Sequence, residues 1–466
     1  MRPPMSRRFA IRAAAAAALL SCALAGAASA AGLTLPPVTR TTLKNGLTVI
    51  VMPTSRLPLV DLVLEVKAGS VSDPAGKEGL ASLTSDLLTQ GAGERDARQI
   101  AEDIAFVGGT LDADCGEERI QITCEVLKKD FDVGLGLLRD VATRPTFPAA
   151  EFARKKDEAL GAIASVKDDP EAIADRELLP FLMGSHPLGH PVLGWEKSVS
   201  SLTRDDVVEF QRRTFAPDNA LLAVVGDVDP KAVVAALEAA FKEWKSQGGQ
   251  RSQPYPPLAA AGKREMLLLS RPEATQSQIR LACPGVARNH PDYFPILVAN
   301  TILGGGFTSR LTNEIRVQQG LTYSIDSRFR MQRNGGQYVI TTFTRNETLR
   351  KTIDEVIRVV KQLQESGPTP EEVDKAHRYL SGQFPLGLQS PDDLAEKLLD
   401  VEFYGLAPDY LQTFADKVNA VTIEDCRRAL KSYFCTDDLK ILVVTPPDSG
   451  KVALKGLGPL TVKEVR

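Results

Sequence analysis

Two apolar periods run along the chain. LVDLVLEVKAGS, from Leu59 to Ser70, alternates as a half-buried strand does. GLASLTSDLLTQG follows it after a loop holding Asp73, Pro74 and Gly76. Its Leu80, Leu83, Leu87 and Leu88 recur at helical spacing and predict an amphipathic helix with a buried stripe. Upstream, TTLKNGLTVIVMP predicts a hairpin turning at Asn45-Gly46. Downstream, the pattern predicts a helix over DARQIAEDIAFVG, a strand pair over GTLDADC and RIQITCEVL, and helices over FDVGLGLLRDVAT and FPAAEFARKKDEALGAIASVKDD. A further helix covers Glu171 to Met183, SHPLGHPVLG reads as an irregular loop, and NALLAVVGDV closes the series as a strand.

The second half repeats this plan. Thr203, Asp206, Phe215 and Asp218 align with Thr422, Asp425, Phe434 and Asp437 at an offset of 219. Pro170 and Gly184 align with Pro391 and Gly405 at an offset of 221. Agreement over two separate blocks implies duplicated α+β domains of about 210 residues each. The expected organisation is an N-terminal domain over 38–245, a linker over 246–262, a C-terminal domain over 263–448 and a loose tail over 449–466. The linker is rich in Gly, Gln, Ser and Pro, with little to bury.

Residues 1–30 stand apart. Arg2, Arg7, Arg8 and Arg12 precede an apolar run from Ala13 to Leu24 and the small residues Ala28-Ser29-Ala30, the signature of a cleaved secretory signal. Ser6-Arg7-Arg8-Phe9 resembles a twin-arginine signal, and Leu19-Leu20-Ser21-Cys22 a lipoprotein box that would anchor the chain at Cys22. The expected location is the periplasm or another exported compartment. Net charge is −3, which gives no reason to expect nucleic acid, and no later run is long enough to span a bilayer. Beyond residue 30 the cysteines are Cys115, Cys124, Cys283, Cys426 and Cys435, an odd, sparse set expected to be buried free thiols.

The strand, loop and helix from Leu59 to Gly91 resemble the start of the pitrilysin/insulinase-type zinc peptidases, whose pattern there is G-x-x-H-x-x-E-H. The three polar positions fall on Ser82, Ser85 and Asp86. Two imidazoles four residues apart can hold zinc from one helix face, with a carboxylate between them as base. A serine hydroxyl stays protonated and offers zinc little, and Ser85 cannot take a proton from water as glutamate does. The family's remaining ligand position falls on Gly161 and Ala162, with Glu158 about one turn away. No zinc is expected on this chain. An independent hydrolase using Ser82, Ser85 and Asp86 would need a histidine base, and none is nearby in sequence.

The second half holds the closest likeness. ILGGGFTSRLTNEIRVQQGLTYSI resembles the family's glycine turn, helix and R-x-x-x-G-L-x-Y signature, with Arg316, Gly320, Leu321 and Tyr323 in place. The resemblance implies that Arg316 and Tyr323 hold a peptide backbone, with Gly304, Gly305 and Gly306 at the cavity mouth. The residues alone leave two other readings open: Tyr323 alternates with Leu321 and Ile325 and could lie on a strand's buried face, and Arg316 could be a solvated helix residue. Gly304-Gly305-Gly306 lacks the Gly-Lys-Ser/Thr of a phosphate loop. His186 and His190 each precede a proline, so one helix face cannot present both.

The resemblance implies two half-shells, each an antiparallel sheet packed with helices, joined by a hinge. It also implies a working partner, because some family members act as pairs in which one chain carries zinc and the other the substrate-holding residues. The expectation is a noncatalytic subunit beside a homologous zinc-motif-bearing peptidase subunit, acting on peptides. A nonproteolytic scaffold or peptide-binding protein is the alternative.

Overall fold

A computed structural model describes residues 35–246, 255–258 and 262–464. The proposed signal, Cys22 and most of the linker lie outside the described residues.

Each half forms a six-stranded sheet. The first contains β1 (Thr39–Thr42), β2 (Thr48–Pro53), β3 (Leu59–Val66), β6 (Thr110–Cys115), β7 (Ile120–Leu127) and β8 (Ala220–Gly226), in the order β1-β2-β8-β3-β7-β6. Two-residue strands β4 (Gly91–Ala92) and β5 (Arg95–Asp96) pair separately. The second contains β9 (Glu265–Ser270), β10 (Gln276–Gly285), β11 (Ile325–Gln332), β12 (Gly335–Arg345), β13 (Lys440–Thr445) and β14 (Leu460–Glu464), in the order β11-β12-β10-β13-β9-β14. Read from the other end, β6-β7-β3-β8-β2 matches β11-β12-β10-β13-β9, as the internal repeat requires, while β1 and β14 fill the sixth place from opposite ends of the chain. Both sheets are mainly antiparallel, with parallel pairs at β2–β8, β9–β13 and β9–β14.

The aligned residues play the same parts. Thr203 and Thr422 each cap a helix by accepting from the backbone N–H of Asp206 and Asp425, whose carboxylates accept in return. Gly184 and Gly405 both end a helix with positive φ, 58° and 63°. Phe215 and Phe434 are both buried.

The matching helices are exchanged. Pro170–Met183 packs on β10 and β13 of the second sheet, and Pro391–Phe403 packs on β3 and β8 of the first. Ile173, Ala174, Leu178 and Leu182 bury themselves against Leu267, Leu269, Leu442 and Val444. Leu394, Ala395, Leu398 and Leu399 join Val63, Ala223 and Val225 in the other core. At roughly 1.5–3 kcal/mol for each fully buried leucine, this exchange contributes heavily to holding the halves together.

Three expectations need correction. The tail over 449–466 is not loose: Pro447–Leu454 is helical, and β14 pairs in parallel with β9. It completes the second sheet at the place β1 holds in the first. The linker does have something to bury, since Tyr255 is 5% exposed and donates to Glu118 at 2.8 Å, while its ring stands edge-on to His186. Cys283 and Cys435 are not free thiols but form a disulfide joining β10 to the approach to β13. Cys115, Cys124 and Cys426 are free; Cys115 pairs with Ile120 and Cys124 with Leu111, so the hairpin does not set these two cysteines opposite each other.

Candidate functional site

The helix Leu80–Leu88 begins at Gly79, whose φ of 98° and whose neighbour Leu193 O, 2.6 Å from any Cβ placed there, favour glycine. Asp73 fastens the helix from the preceding loop, accepting from Gly79 N at 2.7 Å and Ala81 N at 2.8 Å. Burial pushes the Asp73 carboxyl up to about 8, against the pull of those N–H groups. The sequence offered no spacing that marks this cap, because Asp73 reaches over a loop.

Ser82 and Ser85 are buried on this helix, and the Ser85 hydroxyl meets no hydrogen-bond partner. Asp86 is half-buried. Burial raises its carboxyl, the Lys155 ammonium opposes that shift, and Asp114 and Glu158 add to it. Lys155 also pairs with Glu158 at 3.1 Å. A resident ammonium therefore supplies positive charge beside Asp86. Gly161 and Ala162 are exposed on the helix Ala149–Ser165. The donor set of two neutral hydroxyls and one carboxylate does not fit a catalytic zinc, which needs about three good ligands. Among the described residues, no group of three or more His, Cys, Asp or Glu could hold a metal ion. Three of the four histidines are engaged elsewhere: His186 Nε2 with Pro256 O, His190 Nδ1 with Pro191 O, and His290 edge-on to Tyr433. His377 lies in the other half on the helix Pro370–Gln383, its Nε2 buried without a hydrogen-bond partner.

In the second half, the helix Tyr293–Asn300 runs on through a π-helical turn, Thr301–Gly305. Gly304 lets this turn approach β11, since a Cβ there would come within 2.8 Å of Ser327 N. Gly304 and Gly305 line a cavity of about 520 Å³, and Gly306 lines a neighbouring hollow of about 170 Å³. After the turn, Thr312–Gln318 is again π-helical and carries Arg316.

The Arg316 guanidinium lies 4.8 Å from the centre of the Tyr323 ring and 5.0 Å from that of Phe307. Tyr323 is 75% exposed and Phe307 76% exposed. The alternative of a buried strand position for Tyr323 is thereby removed, because β11 starts only at Ile325. Arg316 is half-buried and ion-pairs with no carboxylate among the described residues. A guanidinium steadied by two aromatic faces, with its N–H groups uncommitted, is ready to bind carbonyl or carboxylate oxygens. Neither Arg316 nor Tyr323 lines the two cavities that hold Gly304, Gly305 and Gly306. The structure brings these two together but leaves Ser82, Ser85 and Asp86 in the other half, on a helix packed against Ala149–Ser165, Arg204–Thr214 and β6. Phe307 escaped the sequence reading; its only signal was an aromatic residue directly after the glycines.

Two exchanged half-shells, a degenerate motif helix and an arginine–tyrosine pair define a metallopeptidase-type scaffold. Residues 49–195 match the insulinase family, peptidase family M16, and residues 201–380 match the peptidase M16 inactive domain. The chain belongs to this family. It is 30% identical over 364 residues, 78% of this chain and 81% of the relative, to an uncharacterized zinc protease of Mycobacterium leprae. It is 25% identical, over 84% of this chain and 89% of the relative, to the non-peptidase homolog YmxG of Helicobacter pylori. A crystal structure described as a peptidase M16 inactive domain from Pseudomonas fluorescens superimposes with a TM-score of 0.83 at 29% identity, covering 88% of this chain and 98% of that one.

Proposed function

We propose that this chain is the noncatalytic, peptide-binding subunit of an exported zinc metalloendopeptidase, paired with a homologous subunit that carries the zinc motif. The observation that carries this reading is the uncommitted Arg316 guanidinium between exposed Phe307 and Tyr323, in a chain whose motif helix lacks zinc donors. When the partner closes over a peptide, Arg316 grips the substrate backbone and the Tyr323 phenol donates to the oxyanion forming at the partner's site. Zinc belongs to the partner. The peptide substrate lies between the two chains.

The N-terminal signal pattern supports export to the periplasm or a comparable compartment, with lipid attachment at Cys22 as the alternative to cleavage after Ala30. The Cys283–Cys435 disulfide also favours an oxidising compartment. No helix among the described residues is long and apolar enough to cross a membrane.

The test is reconstitution. Purified alone, the chain should hold no stoichiometric zinc and cleave no peptide; mixed with a homologous subunit bearing H-x-x-E-H, it should raise cleavage. Zinc bound at Asp86, or no stimulation by the mixture, would overturn the reading. The second reading, a nonproteolytic scaffold or peptide-binding protein, draws support from the relative named a non-peptidase homolog. A stable homodimer that binds peptides and stimulates no peptidase would favour it.

A further inference from the structure

The cavity of about 520 Å³ beside β11 is bounded on one side by Gly304 and Gly305, and another of its walls carries an unusual cation that the reading above does not use. Arg288 lies in the connection between β10 and the helix Tyr293–Asn300. Its guanidinium sits 3.9 Å from the centre of the Tyr293 ring and 5.0 Å from that of Tyr410, and Nη2 donates to the Tyr410 hydroxyl at 2.7 Å. The group is thus held in one plane by aromatic contacts and one neutral hydrogen bond. Its Nη1 is buried without a hydrogen-bond partner. No carboxylate among the described residues forms an ion pair with it. Asp400 is close enough to act on it electrostatically, but it is engaged by Arg119 at 2.8 Å.

A largely buried arginine without a counter-ion is rare in proteins. The remaining cavity charges do not cancel it. Asp326, the one carboxylate on the wall, is taken by Arg328 at 2.8 Å, so two arginines and one aspartate leave a single positive charge. Around that charge the wall is mainly apolar, including Leu297, Phe329 and Tyr379. The size suits a small ligand or the last residues of a chain.

We propose that this cavity binds a carboxylate carried on an apolar group, with Arg288 pairing the carboxylate and the Leu297, Phe329 and Tyr379 side receiving the apolar part. The C-terminal residue of a peptide and a small free apolar acid share this chemistry. The site requires no zinc and no partner subunit, so it stands or falls apart from the peptidase reading.

The experiment is calorimetric titration of the purified full chain with N-acetyl-Ala-Ala-Leu as the free acid and as the C-terminal amide, with hexanoate as competitor. The acid should bind at least about tenfold more tightly than the amide, because only the acid offers a charge to the guanidinium. Arg288→Gln should abolish that preference, and Arg316→Ala should leave it intact. Tyr379→Ala, at a half-exposed ring, should weaken the Leu-ended acid more than an Ala-ended one, which keeps the test available if Arg288→Gln fails to fold. Competition by hexanoate assigns the site to free acids; failure to compete assigns it to peptide termini. Equal binding of acid and amide, no binding of any probe, or an undiminished preference in Arg288→Gln would overturn the proposal.

Discussion

Arg280 of β10, fully buried, donates through Nε to Asp175 at 2.7 Å, and Asp175 lies on the helix exchanged from the other half. The pair spans the contact that the duplication creates. Its other hydrogen bonds go to the carbonyls of Ile279 and Glu171. The exposed Glu171 carboxylate, 3.9 Å from Nη2, is a weaker second counter-charge, so Asp175 carries most of the pairing. Asp175→Asn should therefore destabilise the fold by about 1–3 kcal/mol, the cost of a buried charge losing its partner. Arg280→Met should suppress that loss in a double-mutant cycle read by urea denaturation. Additive effects of the two changes would show that the pair does not couple.

Stability should fall as pH rises from about 4 to about 7. Asp61 of β3 is buried under the helix Pro391–Phe403, and neither carboxyl oxygen meets a hydrogen-bond donor. Burial, with Glu125 and Asp392 close by, pushes its carboxyl from an ordinary 3.8 up to about 7. Between those values the folded chain holds a proton the unfolded chain has released, so raising pH favours unfolding. Asp61→Asn should gain on the order of 1–3 kcal/mol at pH 8 and little at pH 4, flattening the profile. Denaturation midpoints across that range decide it; an Asp61→Asn curve parallel to the original would exclude the effect.

Tyr323→Phe and Arg316→Ala should each lower cleavage by the mixed subunits about tenfold or more, in line with losing a donor to an oxyanion. Phe307→Ala should act less strongly, by releasing one face of the guanidinium. All three lie at exposed or half-exposed positions, so stability should change by only about 0.5 kcal/mol. Full activity in both Tyr323→Phe and Arg316→Ala would remove the assigned roles.

The duplication, the helices and most strands were legible because each half repeats its own pattern at near-constant offsets. What the pattern could not show was which half a helix would cover. β3 alternates as if Asp61, Val63 and Glu65 faced water, yet the exchanged helix buries that face. A one-dimensional period reports a polar side, not what later packs upon it. The tail was misread for a related reason, since β14 is a short edge strand whose partner β9 lies nearly 200 residues earlier. At the site, Arg316 and Tyr323 were visible through a motif. Phe307, Asp73 and Lys155 were not, because their contacts cross loops or join separate helices.

The Cys283–Cys435 disulfide carries the last expectation. It closes a separation of 152 residues, and cross-links over such long loops restrict the unfolded chain most. Cys435→Ser should lower stability by about 2–5 kcal/mol. The lost constraint is the main cause, since Cys283 remains a buried thiol that packs as a small apolar side chain. Reductant should shift the urea midpoint of the original chain by a similar amount and leave Cys435→Ser unmoved. Alkylation in denaturant without reductant should label Cys115, Cys124 and Cys426 while sparing the bonded pair. Full labelling of Cys283 and Cys435 in protein taken from an oxidising compartment would mean that the bond does not form there, and would remove its support for export.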